Sequence, residues 1–180
     1  IRYILVTMSA DILITDDRLN FSLSLADFLR VQGQRVIVTS DAERAKDKKQ
    51  ENPIGPVILW NRQSAFSLQS LPLQFKNLQL NIETALFIFD APAYAELYSN
   101  TGVLHADKIV TELITANIQL AYTLMRYFIH KKSGKLIFIH REVPPSCGNI
   151  PVTAASGAFV RMAEASAAAL TQEDNALLQT

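Results

Sequence analysis

The sequence predicts a three-layer α/β domain, a parallel sheet doubly wound by helices, and three observations point to it. Short, continuously apolar runs recur along the 180 residues, as strands covered on both faces require. Between them lie segments whose apolar residues fall at helical spacing. The stretch Asp11 to Val38 reads as strand, turn, amphipathic helix and strand again, the crossover unit from which parallel sheets are built.

The elements follow in order. Arg2 to Met8 (RYILVTM) reads as a strand ahead of this unit, and Ile12-Leu13-Ile14 as the next. In the helix that follows, Phe21, Leu25, Phe28 and Leu29 share one face, and Gly33 suits the C′ position. Val36-Ile37-Val38 is the second strand, and the charged stretch 43–52 is solvated. Val57 to Trp60 is the third strand, 61–83 is predicted as a helix although Pro72 interrupts it, and Ala85 to Phe89 is the fourth strand. Asp107 to Lys132 is the longest helical pattern, with a stripe of Val110, Leu113, Ile114, Ala121, Leu124, Met125 and Phe128 closed by basic residues and Gly134. Lys135 to Ile139 is the fifth strand, and Val143 to Pro151 a breaker-rich loop. A helix from Val152 to Leu170 carries Phe159, Met162, Ala163 and Leu170 on one side.

Composition sets bounds on function. The chain is 49% apolar and 19% charged, with zero formal net charge, so it has no basic face for nucleic acid. No apolar run of about 18 residues predicts a membrane span, and the N-terminus lacks a signal-peptide layout. Cys147 is the single cysteine, so no internal disulfide or cysteine metal site is expected. The expectation is a cytoplasmic single domain spanning 1–180 without a metal. The opening at Ile1 and the tail after Leu170 suggest a fold truncated at its C-terminus.

The turn after the first strand carries the main functional signal. Thr15 to Ser22 (TDDRLNFS) contains no glycine. A Rossmann turn uses glycines to bend tightly and bring backbone amides against a pyrophosphate. In this Rossmann-like setting Asp16 and Asp17 stand where the phosphates would lie.

The order and spacing of the elements resemble the short-chain dehydrogenase/reductase family from about Asp11 to Leu170. The family's Thr-Gly-x-x-x-Gly-x-Gly turn retains Thr15, while Asp16, Asn20 and Ser22 replace its glycines. Its Asn-Asn-Ala-Gly becomes Phe89-Asp90-Ala91-Pro92, matching only at Ala91. The segment Lys131 to Ile139 is similar to the strand preceding the family's catalytic serine, which would fall at His140 or Arg141. The Tyr-x-x-x-Lys pair maps onto Thr153 and Gly157, and the helical asparagine onto Leu113, with Asn117 one turn later.

The resemblance implies a tyrosine that delivers a proton and a lysine that lowers its pKa. Thr153 is an aliphatic alcohol and a poor acid, and Gly157 supplies no charge. A carboxylate near 4–5 Å from a phosphate charge repels it by roughly 3–4 kcal/mol at an effective dielectric of about 20. The expectation is an acidic, crowded mouth, no NAD(P) cofactor and no hydride transfer, with NAD(P) implied if the chain is active.

Other readings weigh the same residues differently. Ile12 to Asp17 also resembles the acidic pair of a phospho-receiver domain, which binds magnesium; its phospho-acceptor would fall near Asn61, which cannot accept a phosphoryl group. Asp16 and Asp17 are expected chiefly to cap the following helix and oppose its dipole. Asp41 sits where the family contacts an adenine ribose, yet Ser40-Asp41-Ala42-Glu43 also reads as a capping box. Asp90 ends a strand at the carboxyl edge and could join Asp16 and Asp17 around a cation. Asn117 is expected to be buried as a packing amide, Tyr94 and Tyr98 to pack, and His105, His130 and Cys147 to lie in loops or on the surface. His140 is the one histidine near a cleft.

The sequence therefore predicts a short-chain-dehydrogenase-like domain that has lost hydride transfer and serves a structural or interaction role. An NAD(P)-dependent oxidoreductase with atypical motifs is the alternative, and a receiver-like cation-binding domain the third reading. The helices 107–132 and 152–170, with the small residues Ala154, Ala158, Ala165 and Ala168, are the expected surface for a second copy or a neighbouring domain.

Overall fold

The computed structural model describes residues 10–41, 56–99, 106–142 and 149–178, with side chains as far as Thr171. In chain order the elements are β1 (Asp11–Ile14), α1 (Asn20–Val31), β2 (Arg35–Ser40), β3 (Val57–Leu59), α2 (Ala65–Gln69), α3 (Leu71–Asn77) and β4 (Ile82–Asp90). They continue as α4 (Ala91–Leu97), α5 (Ala106–Val110), a π-helical turn (Thr111–Thr115), α6 (Ala116–Lys131), β5 (Lys135–Arg141) and α7 (Ile150–Leu178). The expected strand at Arg2 to Met8, the charged stretch 43–52, His105 and Cys147 lie outside the described residues.

The five strands pair in the order β3-β2-β1-β4-β5, each pair parallel. The chain works outward from β1 to β3, then crosses back to place β4 on the other side of β1. Such a reversal of strand order opens a crevice beyond the carboxyl ends of the strands. The predicted doubly wound α/β fold is the fold observed. Leu13, Ile14, Ile37, Phe87 and Phe89 are fully buried in the central strands, which explains why those strands read as unbroken apolar runs. Phe87 stacks on Phe138 of β5 with centroids 5.1 Å apart.

Several elements differ from their sequence reading. In α1 the buried residues are Ser22 and Ala26, with Leu25 and Leu29 packed beside the core. Phe21 and Phe28 are instead 47% and 60% exposed. Small side chains let this helix lie close to the sheet, and the two rings swing outward. Gly33 takes the expected C′ role at φ 80°: its N–H donates to Arg30 O and that of Gln34 to Leu29 O, the paired bonds of a Schellman motif.

The segment 61–83 is two short helices and the start of a strand. Pro72 lies in the first turn of α3, where its missing N–H costs nothing, and Ile82 opens β4 rather than ending a helix. Val110 is exposed while Ile109 is buried, because the π turn inserts an extra residue and slips the apolar stripe. At the end of α6 the left-handed residue is Lys132 (φ 57°), not Gly134. Gly134, at φ 140°, is needed for a different reason: a Cβ there would lie 2.2 Å from the Phe128 ring.

The final helix begins at Ile150, so Ile150 and Pro151 belong to it rather than to the loop, whose residues 143–148 are outside the described set. Asn149 Oδ1 accepts the Val152 N–H at 3.2 Å. The helix continues to Leu178, so the tail after Leu170 is helical almost throughout. No helix among the described residues is long and apolar enough to cross a membrane.

Candidate functional site

The crevice at the carboxyl edge is built first by the turn after β1. Leu13 and Ile14 anchor the strand in the core, and the buried residues Thr15, Asp16 and Asp17 follow directly. The Thr15 carbonyl accepts from Thr39 Oγ1 and from Arg62 Nη2, each at 2.6 Å. Asp16 bends the chain by accepting the Arg18 backbone N–H at 2.9 Å, the geometry of an Asx turn. Its carboxylate then takes Arg18 Nη2 at 2.8 Å, the Tyr94 hydroxyl at 2.6 Å and an ion pair with Arg62 at 3.3 Å. Ser40 Oγ donates to Asp17 Oδ2 at 2.6 Å.

This corrects the capping expectation for Asp16 and Asp17. The cap of α1 is Leu19, in extended conformation and without a side-chain bond. The carboxylates turn inward to cations and hydroxyls that offer more than a helix terminus does. It also corrects the acidic mouth, since two guanidinium groups offset the carboxylates. The mouth is crowded, and its charge is compensated internally.

Arg18 carries the network across the crevice. Its Nη1 donates to Tyr98 Oη at 2.8 Å and to Glu112 Oε2 at 2.6 Å. Glu112, presented by the π turn, also accepts from the Tyr98 hydroxyl at 2.6 Å and from Gln63 Nε2 at 2.8 Å, and Lys108 Nζ stands 3.9 Å away. Arg62 lies over the Trp60 ring at 4.3 Å.

Burial pushes the Asp16 carboxyl upward, but the Arg18 and Arg62 cations and the bonds from Arg18 and Tyr94 outweigh it and hold it well below the usual carboxylate range. In Glu112 burial is likewise overcome, by hydrogen bonds from Tyr98 and Gln63 and by the charges of Arg18 and Lys108. Burial also lowers Arg62 from its usual range and raises both Tyr94 and Tyr98, which stay protonated as donors.

Beside Glu112 opens a polar cleft of about 430 Å³, lined by Arg18, Asp41, Asn61, Arg62, Gln63 and Lys108. Asp41 thus reaches the cleft at the end of β2. Ser40 gives its hydroxyl proton to Asp17, and Ala42 and Glu43, the rest of the expected capping box, lie outside the described residues. Asn61, at the receiver-like acceptor position, accepts the Gln63 N–H at 2.9 Å through Oδ1. Asp90 does not join Asp16 and Asp17. It accepts the Ala93 N–H at 3.2 Å as the cap of α4 and pairs loosely with Arg141 at 3.4 Å. Among the described residues no three acidic, histidine or cysteine side chains are grouped to hold a metal.

The family's catalytic positions are dispersed. Leu113 is a core residue, and Asn117 is buried as expected, its Nδ2 donating to the Leu113 carbonyl at 2.8 Å. Thr153 is exposed and its hydroxyl donates back to the Asn149 carbonyl at 3.0 Å. Gly157 is exposed, and nothing lies within 4 Å of where its Cβ would be. Burial of Val152, Ala155 and Phe159 sets the rotation of α7, so the inward pair at that spacing is Val152 and Ser156, one residue earlier. Ser156 Oγ lies 2.7 Å from His140 Nε2, whose ring packs 6.0 Å from both Phe89 and Phe159. The Arg141 side chain is exposed, Asn20 is exposed, Ala91 is buried, and the buried Ser22 Oγ has no hydrogen-bond partner.

The residues the sequence reading missed are Arg18, Arg62, Gln63 and Glu112, and Tyr94 and Tyr98 donate to carboxylates rather than merely packing. Asp16-x-Arg18 and the i, i+4 pair Lys108 and Glu112 carried local signals. Side chains stand where the family's glycines would, and from this turn Arg18 reaches Tyr98 and Glu112.

Comparison with known proteins agrees with this geometry at the level of fold. No protein-family model matches the chain. It is 40% identical over 178 residues to an uncharacterized protein of Treponema pallidum (strain Nichols), an alignment covering 99% of this chain and 79% of that one. Among solved structures, acetoin dehydrogenase YohF from Salmonella typhimurium superposes with TM-score 0.69 and 15% identity, over 92% of this chain and 72% of its own. A short-chain dehydrogenase from Streptomyces avermitilis gives TM-score 0.69 and 13% identity, over 94% and 63%. A substituted ElxO with NADPH bound gives 0.68 and 12%, over 92% and 70%. The fold is that of the short-chain dehydrogenases.

Proposed function

We propose that this chain, which belongs to the same family as the Treponema pallidum protein, is a short-chain-dehydrogenase-like cytoplasmic domain that has given up hydride transfer and acts as an interaction module. One observation carries the reading: the first turn presents side chains in place of glycines, and its Arg18 is tied to both Asp16 and Glu112. Thr153 and Gly157, facing solvent, support it further.

The partner we infer is a second copy, meeting α6 and α7. These helices border an apolar groove lined by Ile118, Tyr122, Met125 and Met162. Ile118 and Tyr122 are large and exposed, and Ala158 and Ala165 along the groove permit close approach of a helix.

An NAD(P)-dependent oxidoreductase with atypical residues is the competing reading, and it draws on the fold shared with NADPH-bound ElxO and on Asp41 at the cleft. Titration with NADH and NADPH separates the two. We expect no change in coenzyme fluorescence or melting temperature. A micromolar dissociation constant would add about 2.7 kcal/mol at a hundredfold excess, and seeing that shift would overturn the non-catalytic reading.

A further inference from the structure

Glu112 is held as a ligand is held. Its carboxylate accepts from Arg18 Nη1 and the Tyr98 hydroxyl, each at 2.6 Å, and from Gln63 Nε2 at 2.8 Å, with Lys108 Nζ at 3.9 Å. The three donors come from separate places in the fold, the β1–α1 turn, the residue after α4 and the segment after β3, and Lys108 adds a charge from α5. Three donors and a nearby cation converging on one oxyanion is also how proteins build an anion site. The cleft of about 430 Å³ beside the carboxylate gives room for the rest of a small molecule. Arg62 stands behind Asp16 as a second buried cation, and Asp41 on the cleft wall disfavours a ligand with charge spread to that side.

The carrier of Glu112 is also unusual. It sits in the π turn Thr111–Thr115, where the Ala116 N–H reaches back to the Thr111 carbonyl. A π turn holds one residue more than an α turn and is common at functional sites.

We propose that Arg18, Gln63, Tyr98 and Lys108 form an oxyanion site whose resident occupant is the Glu112 carboxylate, and that a small phosphate-bearing ligand takes its place. The site is made of side chains, unlike a backbone cradle for a diphosphate, and does not depend on the non-catalytic reading. The tethered carboxylate keeps affinity low until it is displaced, because an intramolecular competitor acts at high effective concentration.

The test compares wild type with Glu112→Ala and Glu112→Gln, using inorganic phosphate and pyrophosphate as probes in thermal melts and calorimetry, with acetate as a control. Removing the carboxylate should tighten phosphate or pyrophosphate binding by about tenfold or more, and adding Lys108→Ala should erase much of that gain. The proposal is overturned if folded Glu112 variants bind these anions no better than wild type. Equal binding of acetate would overturn the phosphate assignment in favour of a carboxylate ligand. Failure of both variants to fold would overturn it too, since the carboxylate would then be a strut and not a replaceable occupant. Coenzyme binding to the wild type, the test of the previous section, leaves these outcomes unaffected.

Discussion

Two clefts of the same size, about 430 Å³ each, lie on this molecule and could hardly differ more in content. The cleft at the carboxyl edge is walled by arginine, lysine, carboxylate and amide groups, and its charges are largely spoken for by each other. The groove between α6 and α7 is walled by Ile118, Tyr122, Met125, Met162 and small residues, with Arg161 as its one charged side chain. Equal volume thus says little about use. In the first, polar groups removed from water are compensated inside the protein, so the region should govern stability. In the second, apolar surface remains in water, so the region should govern association.

The sharpest way to break this comparison is Asp16→Ala. That substitution leaves Arg18 and Arg62 buried without their shared carboxylate, and removing one partner of a buried pair costs about 3–5 kcal/mol. Urea denaturation should show this loss directly, and a change below about 1 kcal/mol would mean the network behaves as a solvated surface pair.

Acid provides the next test. The folded pKa values of Asp16 and Glu112 are lowered, so each contributes stability above its unfolded value, near pH 4. That contribution is lost as pH falls from there through the folded values. Melting temperature should therefore drop below about pH 4 in the wild type, and Asp16→Asn should flatten the dependence. An unchanged slope would show that other carboxylates dominate acid unfolding.

The comparison also explains what could be read before the structure. The sheet was legible because Ile12 to Ile14, Val36 to Val38 and Ala85 to Phe89 record burial on two faces in their own composition. The site was not, because it joins Arg18 to Tyr98 and Glu112 across separations of 80 and 94 residues. Nothing in a local pattern says that Arg62 also meets Asp16. The rotation of α7 escaped for a similar reason: Thr153 and Gly157 have the family's spacing, as do Val152 and Ser156, and tertiary packing alone chose between them. Phe21 and Phe28 were misplaced because apolarity was taken for burial where the small residues Ser22 and Ala26 make the close contact.

A smaller effect is expected between these regions. His140 and Ser156 share a hydrogen bond at 2.7 Å, and Ser156→Ala should cost about 1 kcal/mol in urea denaturation, the net worth of one such bond. A loss several times larger would extend the charge-bearing region from the β1 turn to β5.

The smallest stability effect, and the cleanest separation of the two clefts, is expected from Ala158→Arg. Ala158 lines the apolar groove on the surface of α7 and is only partly buried, so a long cationic side chain can extend along the groove toward solvent. Stability should stay within about 0.5 kcal/mol of the wild type, as for surface substitutions generally. Sedimentation should nevertheless shift from a self-associating to a monomeric species, because an arginine in an interface between copies of the same helices faces desolvation without a paired carboxylate. Stability falling while association survives would reverse the assignment of roles, placing the packing load on α7 and the partner surface elsewhere.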